Sequence, residues 1–399
     1  MLICIAGKNN IAVEILEFLY KRNGRYELCV TCNKTETGEN TWQRSLRQTA
    51  QRLGVKEYVL EQLYDIEELI FLSLEYDRIV KPERFRTDRL YNIHFSLLPR
   101  YKGMYTSAIP ILNGERTTGV TLHRIDAGID TGEIIAQREF KIMDYYTCRD
   151  VYLKLIQTGT DLVVENIENI LHDNVKSYPQ SVKGSTYYSK SFIDYSDLKI
   201  DINQTANGIQ RQLRAFTFRE YQLPKIFGHF IIGSYITNIR SKKKSGTVLY
   251  EDPGSMMLCT VDYNIVLYKD RFTELLKACQ SGDLKRVQEI CFMGYHVNDR
   301  NEKGWTPLMV AAYNNHIEVV YYLLSMGADI DAVNNNGTNL LMYAKEAFLN
   351  TGDATLLRLF LELGLSPETK DYRGKSLWDY ILESKCDSER RKRLSELLY

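Results

Sequence analysis

From Phe272 onward the chain repeats itself. Gly304-Trp305-Thr306-Pro307-Leu308, Gly337-Thr338-Asn339-Leu340-Leu341 and Gly374-Lys375-Ser376-Leu377-Trp378 recur at spacings of 33 and 37 residues. The turns Gly294-Tyr295, Gly327-Ala328-Asp329 and Gly364-Leu365-Ser366 recur at the same two spacings. A period of this length leaves each unit too small to bury its own apolar face, so successive units must stack. The segments between turns are long enough for two short antiparallel helices per unit. Four extra residues in the 37-residue unit are expected around Asn350-Thr351-Gly352-Asp353, and the polar ending SERRKRLSELLY suits a terminal cap.

The remainder of the chain obeys a different period. LICIAG, NNIAVEILEFLYKR and YELCVTC read strand, helix, strand. ENTWQRSLRQTAQRLG is expected to be helical with Gly54 as its stop. ELIFLSLEY approaches a further strand, YNIHF forms another, and CRDVYLKLIQTGTDLVVENIENIL is a long amphipathic helix. Strands alternating with helices imply an α/β layer with a mainly parallel sheet and right-handed crossovers. Beyond it, residues 181–270 are rich in aromatics and short apolar alternations, as for a small α+β subdomain; Ser241–Gly246 is expected to be a solvated turn. The expected domains are therefore 1–180, 181–270 and an all-α repeat domain at 271–399, consistent with 399 residues.

Net charge is zero, which argues against electrostatic, sequence-independent binding to nucleic acid. The apolar start MLICIAGKNNIA is one strand long and has no basic leader, so it is expected to be a strand, not a signal peptide. No apolar run approaches the roughly 18 residues that span a bilayer. A cytoplasmic protein without membrane contact is expected. Of the eight cysteines (4, 29, 32, 148, 259, 279, 291 and 386), Cys29 and Cys32 form a lone CxxC on a strand, where residues three apart face opposite sides. Buried reduced thiols are expected, and no metal site, because His123, His172, His229, His296 and His316 have no partners at ligand spacing.

Chemistry concentrates in Asn92-Ile93-His94-Phe95-Ser96-Leu97-Leu98-Pro99, followed by Asp130 inside DAGIDTGEII. Side chains two apart on a strand share a face, so Asn92 and His94 point together while Ile93 and Phe95 point away. An amide, an imidazole and a distant carboxylate can polarise a carbonyl, move a proton and hold the imidazole, which suits acyl transfer to an amine. Asp130 is also open to reading as a turn cap before Thr131-Gly132. The turn Gly7-Lys8-Asn9-Asn10 sits at a strand end and a helix start, where either a simple turn or contact with an anionic substrate fits.

NIHFSLLPRYKG followed by TGVTLHRIDAGIDTGEII resembles the formyltetrahydrofolate-dependent formyltransferases, with an Asn-x-His, SLLP and Asp core, over roughly residues 70 to 140. Many relatives carry Pro where this chain has Phe95. The resemblance implies a Rossmann-like catalytic core, N10-formyltetrahydrofolate as co-substrate, and catalysis by Asn92, His94 and Asp130. It further implies a folate pocket along Ser73, Leu74, Tyr76 and Ile79, at Leu97, and along Ile125, Asp126 and Gly128. KGWTPLMVAAYNNHIEVVYYLLSMGADIDA resembles an ankyrin repeat.

Relatives of this kind act on glycinamide ribonucleotide, initiator methionyl-tRNA or nucleotide-linked amino sugars. Residues 271–399 hold 16 Lys and Arg against 18 Asp and Glu, unlike a basic RNA-binding domain. MLICIAGKNNIAVEILEFL and CNKTETGENTWQRSL resemble the sugar N-formyltransferases, which implies a dTDP-linked 3- or 4-amino-dideoxy sugar, with dTDP-3-amino-3,6-dideoxy-D-glucose favoured and O-antigen synthesis as its use. Such a substrate needs cations and a stacking surface. Lys8, Asn9, Arg100, Tyr101 and Lys102 border the expected site, and Tyr187, Tyr188, Phe216, Phe218 and Tyr221 offer aromatic faces. A homodimer is implied by the related sugar enzymes. The repeats are expected to bind a protein, or a second small ligand near Trp305, Tyr313, Tyr321 and Tyr322. Two other readings stay open at this point: a formyltetrahydrofolate hydrolase, and an ankyrin-based interaction protein with an inactive enzyme domain.

Overall fold

The computed structural model describes residues 1–291, 294–384 and 388–398. These form two compact units, Met1–Tyr268 and Lys269–Tyr399.

In the first unit, β1 (Leu2–Gly7), α1 (Asn9–Arg22), β2 (Glu27–Cys32), α2 (Leu46–Leu53), β3 (Lys56–Glu57), β4 (Leu69–Leu74), β5 (Leu90–His94), β6 (Lys102–Gly103), α3 (Ile109–Leu112), β7 (Thr117–Arg124), β8 (Ile134–Lys141) and α4 (Cys148–Leu171) follow in order. The main sheet runs β3-β2-β1-β4-β5-β7-β8. β1 through β5 are parallel, while β7 pairs antiparallel with both β5 and β8. The chain moves outward from β1 through β2 and β3, then returns to β4 and moves the other way. The carboxyl ends of β1 and β4 thus flank a topological switch point, the favoured ligand crevice of such sheets.

Alternation along the strands decides the two faces. Ile3, Ile5, Leu72, Leu74, Tyr91, Ile93, Val120 and Leu122 pack with Ile11, Ile15 and Leu16 of α1 and Val151, Leu155 and Val163 of α4. On the other face Cys4, Ala6, Phe71 and Leu90 join Leu60, Leu63 and Val80. Removing the fully buried Phe71 ring would cost about 3–5 kcal/mol.

The helix expected over ENTWQRSLRQTAQRLG begins only at Leu46. Ser45 caps it by accepting from the Gln48 N–H, and the Asn40 side chain in turn accepts from the Ser45 N–H. Before that cap, Trp42 packs among aromatic rings. Gly54, at φ 70°, ends the helix as expected.

The unit continues through β9 (Tyr187–Tyr188), α5 (Ala206–Phe216), β10 (Lys225–Ile226), β11 (His229–Arg240), β12 (Val248–Glu251), β13 (Ser255–Leu258) and β14 (Tyr263–Lys269). The last five strands form a second sheet in the order β10-β11-β14-β13-β12. Ile209 and Leu213 of α5 pack on its Ile231, Leu258, Ile265 and Leu267.

The second unit is helical: α6 (Phe272–Ser281), α7 (Leu284–Cys291), α8 (Pro307–Tyr313), α9 (Ile317–Ser325), α10 (Leu340–Thr351), α11 (Thr355–Glu362), α12 (Leu377–Glu383) and α13 (Ser388–Leu398). The repeating motif has a local cause. Thr306, Asn339 and Ser376 each cap a helix by accepting the N–H three residues on, from Met309, Met342 and Asp379. The four extra residues fall at the end of α10, which Gly352 closes at φ 78°.

Candidate active site

His94 ends β5, and the register sets Asn92 opposite His123 and His94 opposite Thr121 on β7. All four lie on the sheet face away from α1 and α4, because Ile93 and Leu122 occupy the other. Asp130 follows on the loop after β7 with φ 55°, a left-handed conformation in which Asp is enriched. Its Oδ2 lies 3.4 Å from His94 Nδ1 and its Oδ1 lies 3.8 Å from His123 Nε2. The structure therefore brings Asn92, His94 and Asp130 together and adds His123.

The hydrogen bonds fix the protonation pattern. His94 Nε2 lies 2.8 Å from the Tyr101 carbonyl, which can only accept, so Nε2 carries a proton and Nδ1 faces Asp130. His123 Nδ1 likewise donates to the Arg124 carbonyl at 2.7 Å, leaving Nε2 to accept from Asn92 Nδ2 at 3.0 Å. Burial, reinforced by His94 nearby, pushes the His123 imidazole down to about 4, so it is neutral at physiological pH. His123 has no metal-spaced partners in the sequence; its signal there is the period-2 alternation of TGVTLHR, which puts Thr121 and His123 on one face.

A strap holds these groups. The Gly103 N–H donates to Asp130 Oδ2 at 2.9 Å, and β6 pairs with β9. The Gln180 amide donates to the carbonyls of Asp130 and Gly132 at 2.9 and 2.8 Å. Thr121 donates to the Ser96 carbonyl and accepts from the Leu98 N–H, pinning the SLLP turn with its cis Leu98–Pro99 bond.

A second polar cluster occupies the switch point. Asn9 and Glu75, both in left-handed conformations, follow β1 and β4. Tyr152 of α4 donates to the Glu75 carboxylate at 2.8 Å, and Asn9 Nδ2 donates to it at 3.0 Å. Burial raises the Glu75 carboxyl above its usual range despite these bonds. Trp42 lies against Tyr152, Phe218 and Tyr221 at centroid distances of 5.8, 5.3 and 5.6 Å. No sequence pattern marked Glu75, Tyr152 or Trp42, which meet across 77 residues or more.

The other expected residues divide. Ser73 sits on β4 beside Asn92 in the register, and Tyr76 and Ile125 pack on the same face. Leu74 is buried on the opposite face, so only its backbone borders the crevice. Ile79 is exposed. Leu97 is half-buried. Asp126 accepts from the Gly128 N–H and the Thr131 hydroxyl, which makes it the organiser of that turn. Lys8 caps α1 without a side-chain cap bond. Arg100 pairs with Glu115. Lys102 is tied through its N–H to the Thr186 carbonyl. Tyr101 borders the site through its carbonyl, 2.8 Å from His94 Nε2, while its ring stacks on Tyr188 and its hydroxyl donates to Glu115; Phe216 is buried against Tyr195. Tyr221, by contrast, is exposed.

The seven described cysteines are free thiols, and Cys386 lies outside the described residues. Among the described residues no cluster of His, Cys, Asp or Glu could hold a metal, and no helix is long and apolar enough to cross a membrane.

Residues 38–167 match the formyl transferase family model, and residues 275–371 match a model of three ankyrin repeats. WlaRD, a sugar 3N-formyl transferase whose crystal structure was solved in the presence of dTDP and 5-N-formyl-THF, is 41% identical, with a TM-score of 0.63, over 68% of this chain and 98% of that one. An N-formyltransferase from Helicobacter canadensis, in complex with folinic acid and dTDP-3-aminofucose, is 41% identical with the same TM-score, over 68% of this chain and all of that one (100%). The methionyl-tRNA formyltransferase of Fervidobacterium nodosum is 28% identical over 283 residues, 66% of this chain and 88% of that protein.

Proposed function

Because this chain belongs to the formyltransferase family, among its sugar N-formyltransferases, we propose that it moves the formyl group of N10-formyltetrahydrofolate onto the amine of a dTDP-linked 3-amino-dideoxy sugar. We favour dTDP-3-amino-3,6-dideoxy-D-glucose as acceptor and lipopolysaccharide O-antigen as its destination. The carrying observation is the convergence of Asn92, His94 and Asp130 on one sheet face. Two relatives at 41% identity, one a 3N-formyl transferase and one holding dTDP-3-aminofucose, support the 3-amino position.

In this reading the neutral amine attacks the formyl carbon. Asn92 Nδ2 has one N–H free of His123 to stabilise the developing oxyanion. His94 takes the proton lost by the amine at Nδ1, and Asp130 stabilises the imidazolium so formed. The C–N10 bond then breaks, N10 is protonated, and tetrahydrofolate leaves. The folate pocket is assigned to the region of Ser73, Tyr76, Leu97 and Ile125, and the acceptor to the switch point with Lys8, Asn9 and Tyr221. We take the working state as a cytoplasmic homodimer and the repeats as a site for a protein or a second small ligand; deleting residues 272–399 without change in kinetics, binding or oligomeric state would refute the latter role.

The test follows tetrahydrofolate release with and without amino sugar. Release that requires the sugar supports transfer; equal release without it makes hydrolysis the activity. Folded Asn92→Ala and His94→Ala proteins with wild-type turnover would overturn the residue assignment.

A further inference from the structure

Resting on the transferase reading, we propose that His123 is a positioning residue: its bare Nε2 fixes which way the Asn92 carboxamide points, and so aims an Asn92 N–H at the reacting carbonyl.

The carboxamide of any asparagine is ambiguous in orientation. A carboxamide turned by half a revolution exchanges a donor for an acceptor in nearly the same space. At an oxyanion site the two orientations have opposite effects, since an amide oxygen would repel the charge that an N–H stabilises. Something must choose. Asn92 is packed from β7 by His123, directly opposite in the register. The ring's other nitrogen is committed to the Arg124 carbonyl at 2.7 Å, which fixes the tautomer. A bare Nε2 at 3.0 Å accepts an N–H and repels an oxygen, so it selects one orientation of Asn92.

The choice holds only while His123 is neutral. Were Nε2 protonated it would donate, and Asn92 would turn its oxygen inward. Burial of the ring, only 3% exposed, and the neighbouring His94 keep the proton off. Asp130 Oδ1, at 3.8 Å from Nε2, pulls the other way, but the carboxylate is held by its Oδ2, which accepts from the Gly103 N–H and faces His94 Nδ1.

Three substitutions separate aiming from mere packing. In His123→Gln the side-chain oxygen reaches the Nε2 position and restores an acceptor in one of the two amide orientations, the other presenting an N–H. In His123→Leu the volume is kept without an acceptor. In His123→Asn the shorter amide reaches only the Nδ1 position, and it stands in if the leucine variant does not fold. Tetrahydrofolate release is measured with saturating donor and sugar. The glutamine variant is expected to lose about three- to tenfold in kcat, and the leucine or asparagine variant to fall further, about 10- to 100-fold, with both KM values nearly unchanged. Equal losses in all the variants, unchanged turnover in all of them, or a loss confined to KM would overturn the proposal. The 15N resonances of the His123 ring read the tautomer without substrate. Protonated Nδ1 with bare Nε2 at neutral pH supports the proposal, and the reverse tautomer overturns it. A protein with the expected tautomer that formylates no sugar would instead refute the transferase reading.

Discussion

Asp130→Asn isolates one charge. The carboxylate lies 3.4 Å from His94 Nδ1, and both side chains are largely buried, at 13% and 9% exposed. With an effective dielectric of about 20, a unit charge pair at 3.4 Å interacts by about 5 kcal/mol, an upper bound on what Asp130 contributes to an imidazolium. Asparagine keeps an oxygen able to accept the Gly103 N–H, and its dipole recovers part of the attraction. Roughly 3–4 kcal/mol should remain, equivalent to a loss of about 100- to 1,000-fold in kcat at 1.36 kcal/mol per decade. The assay is the initial rate of tetrahydrofolate release with saturating donor and amino sugar, alongside circular dichroism to verify the fold. Both KM values should change little, because the charge interaction is made only after the proton arrives. A folded variant within tenfold of wild type would refute the proton path through His94.

Four further outcomes follow from the same geometry. A Cβ on Gly7, at φ 148°, would lie 1.8 Å from the Leu74 carbonyl oxygen, so Gly7→Ala should cost at least about 3 kcal/mol and lower the Tm by about 6 °C or more; an unchanged melt contradicts this. Gly103→Ala places a Cβ 2.3 Å from the Tyr188 carbonyl oxygen, and by shifting the N–H that holds Asp130 it should reduce kcat at least about tenfold, which steady-state rates would check. Glu75 has a raised pKa, so its contribution to stability is fully present below the unfolded-state value and lost as pH rises through the folded one. The Tm of Glu75→Gln minus that of wild type should therefore grow from about pH 4 to about pH 7, and a shrinking difference would refute the sign. Tyr221→Ala removes an exposed ring beside Trp42 and should raise the sugar KM about tenfold while sparing the folate KM; equal effects on both would remove Tyr221 from the acceptor site.

What was legible in the sequence was whatever a local period carries. Asn92 and His94 share a face because strands alternate, and α1, α4 and the repeats follow from apolar spacing and their turn residues. Trp42 misled because its segment has helical composition, yet the cap at Ser45 and the aromatic contacts outweigh propensity. His123 was hidden for a different reason. Its partner is set by the antiparallel pairing of β5 with β7, and strand order is not written in either strand alone. Glu75, Asn9 and Tyr152 meet only because the sheet reverses its order between β1 and β4. Tyr101 meets His94 through its backbone carbonyl, a contact that no side-chain pattern reveals.

The central claim is transfer of a formyl group to a nucleotide-linked amino sugar. The purified protein should be incubated with N10-formyltetrahydrofolate and a panel of dTDP-3-amino- and dTDP-4-amino-dideoxy sugars, with products weighed by mass spectrometry. The account predicts that a 3-amino sugar gains one formyl group, dTDP-3-amino-3,6-dideoxy-D-glucose foremost. Formylation of 4-amino sugars alone would contradict the assigned acceptor, and folate deformylated with every sugar unmodified would contradict the transferase itself.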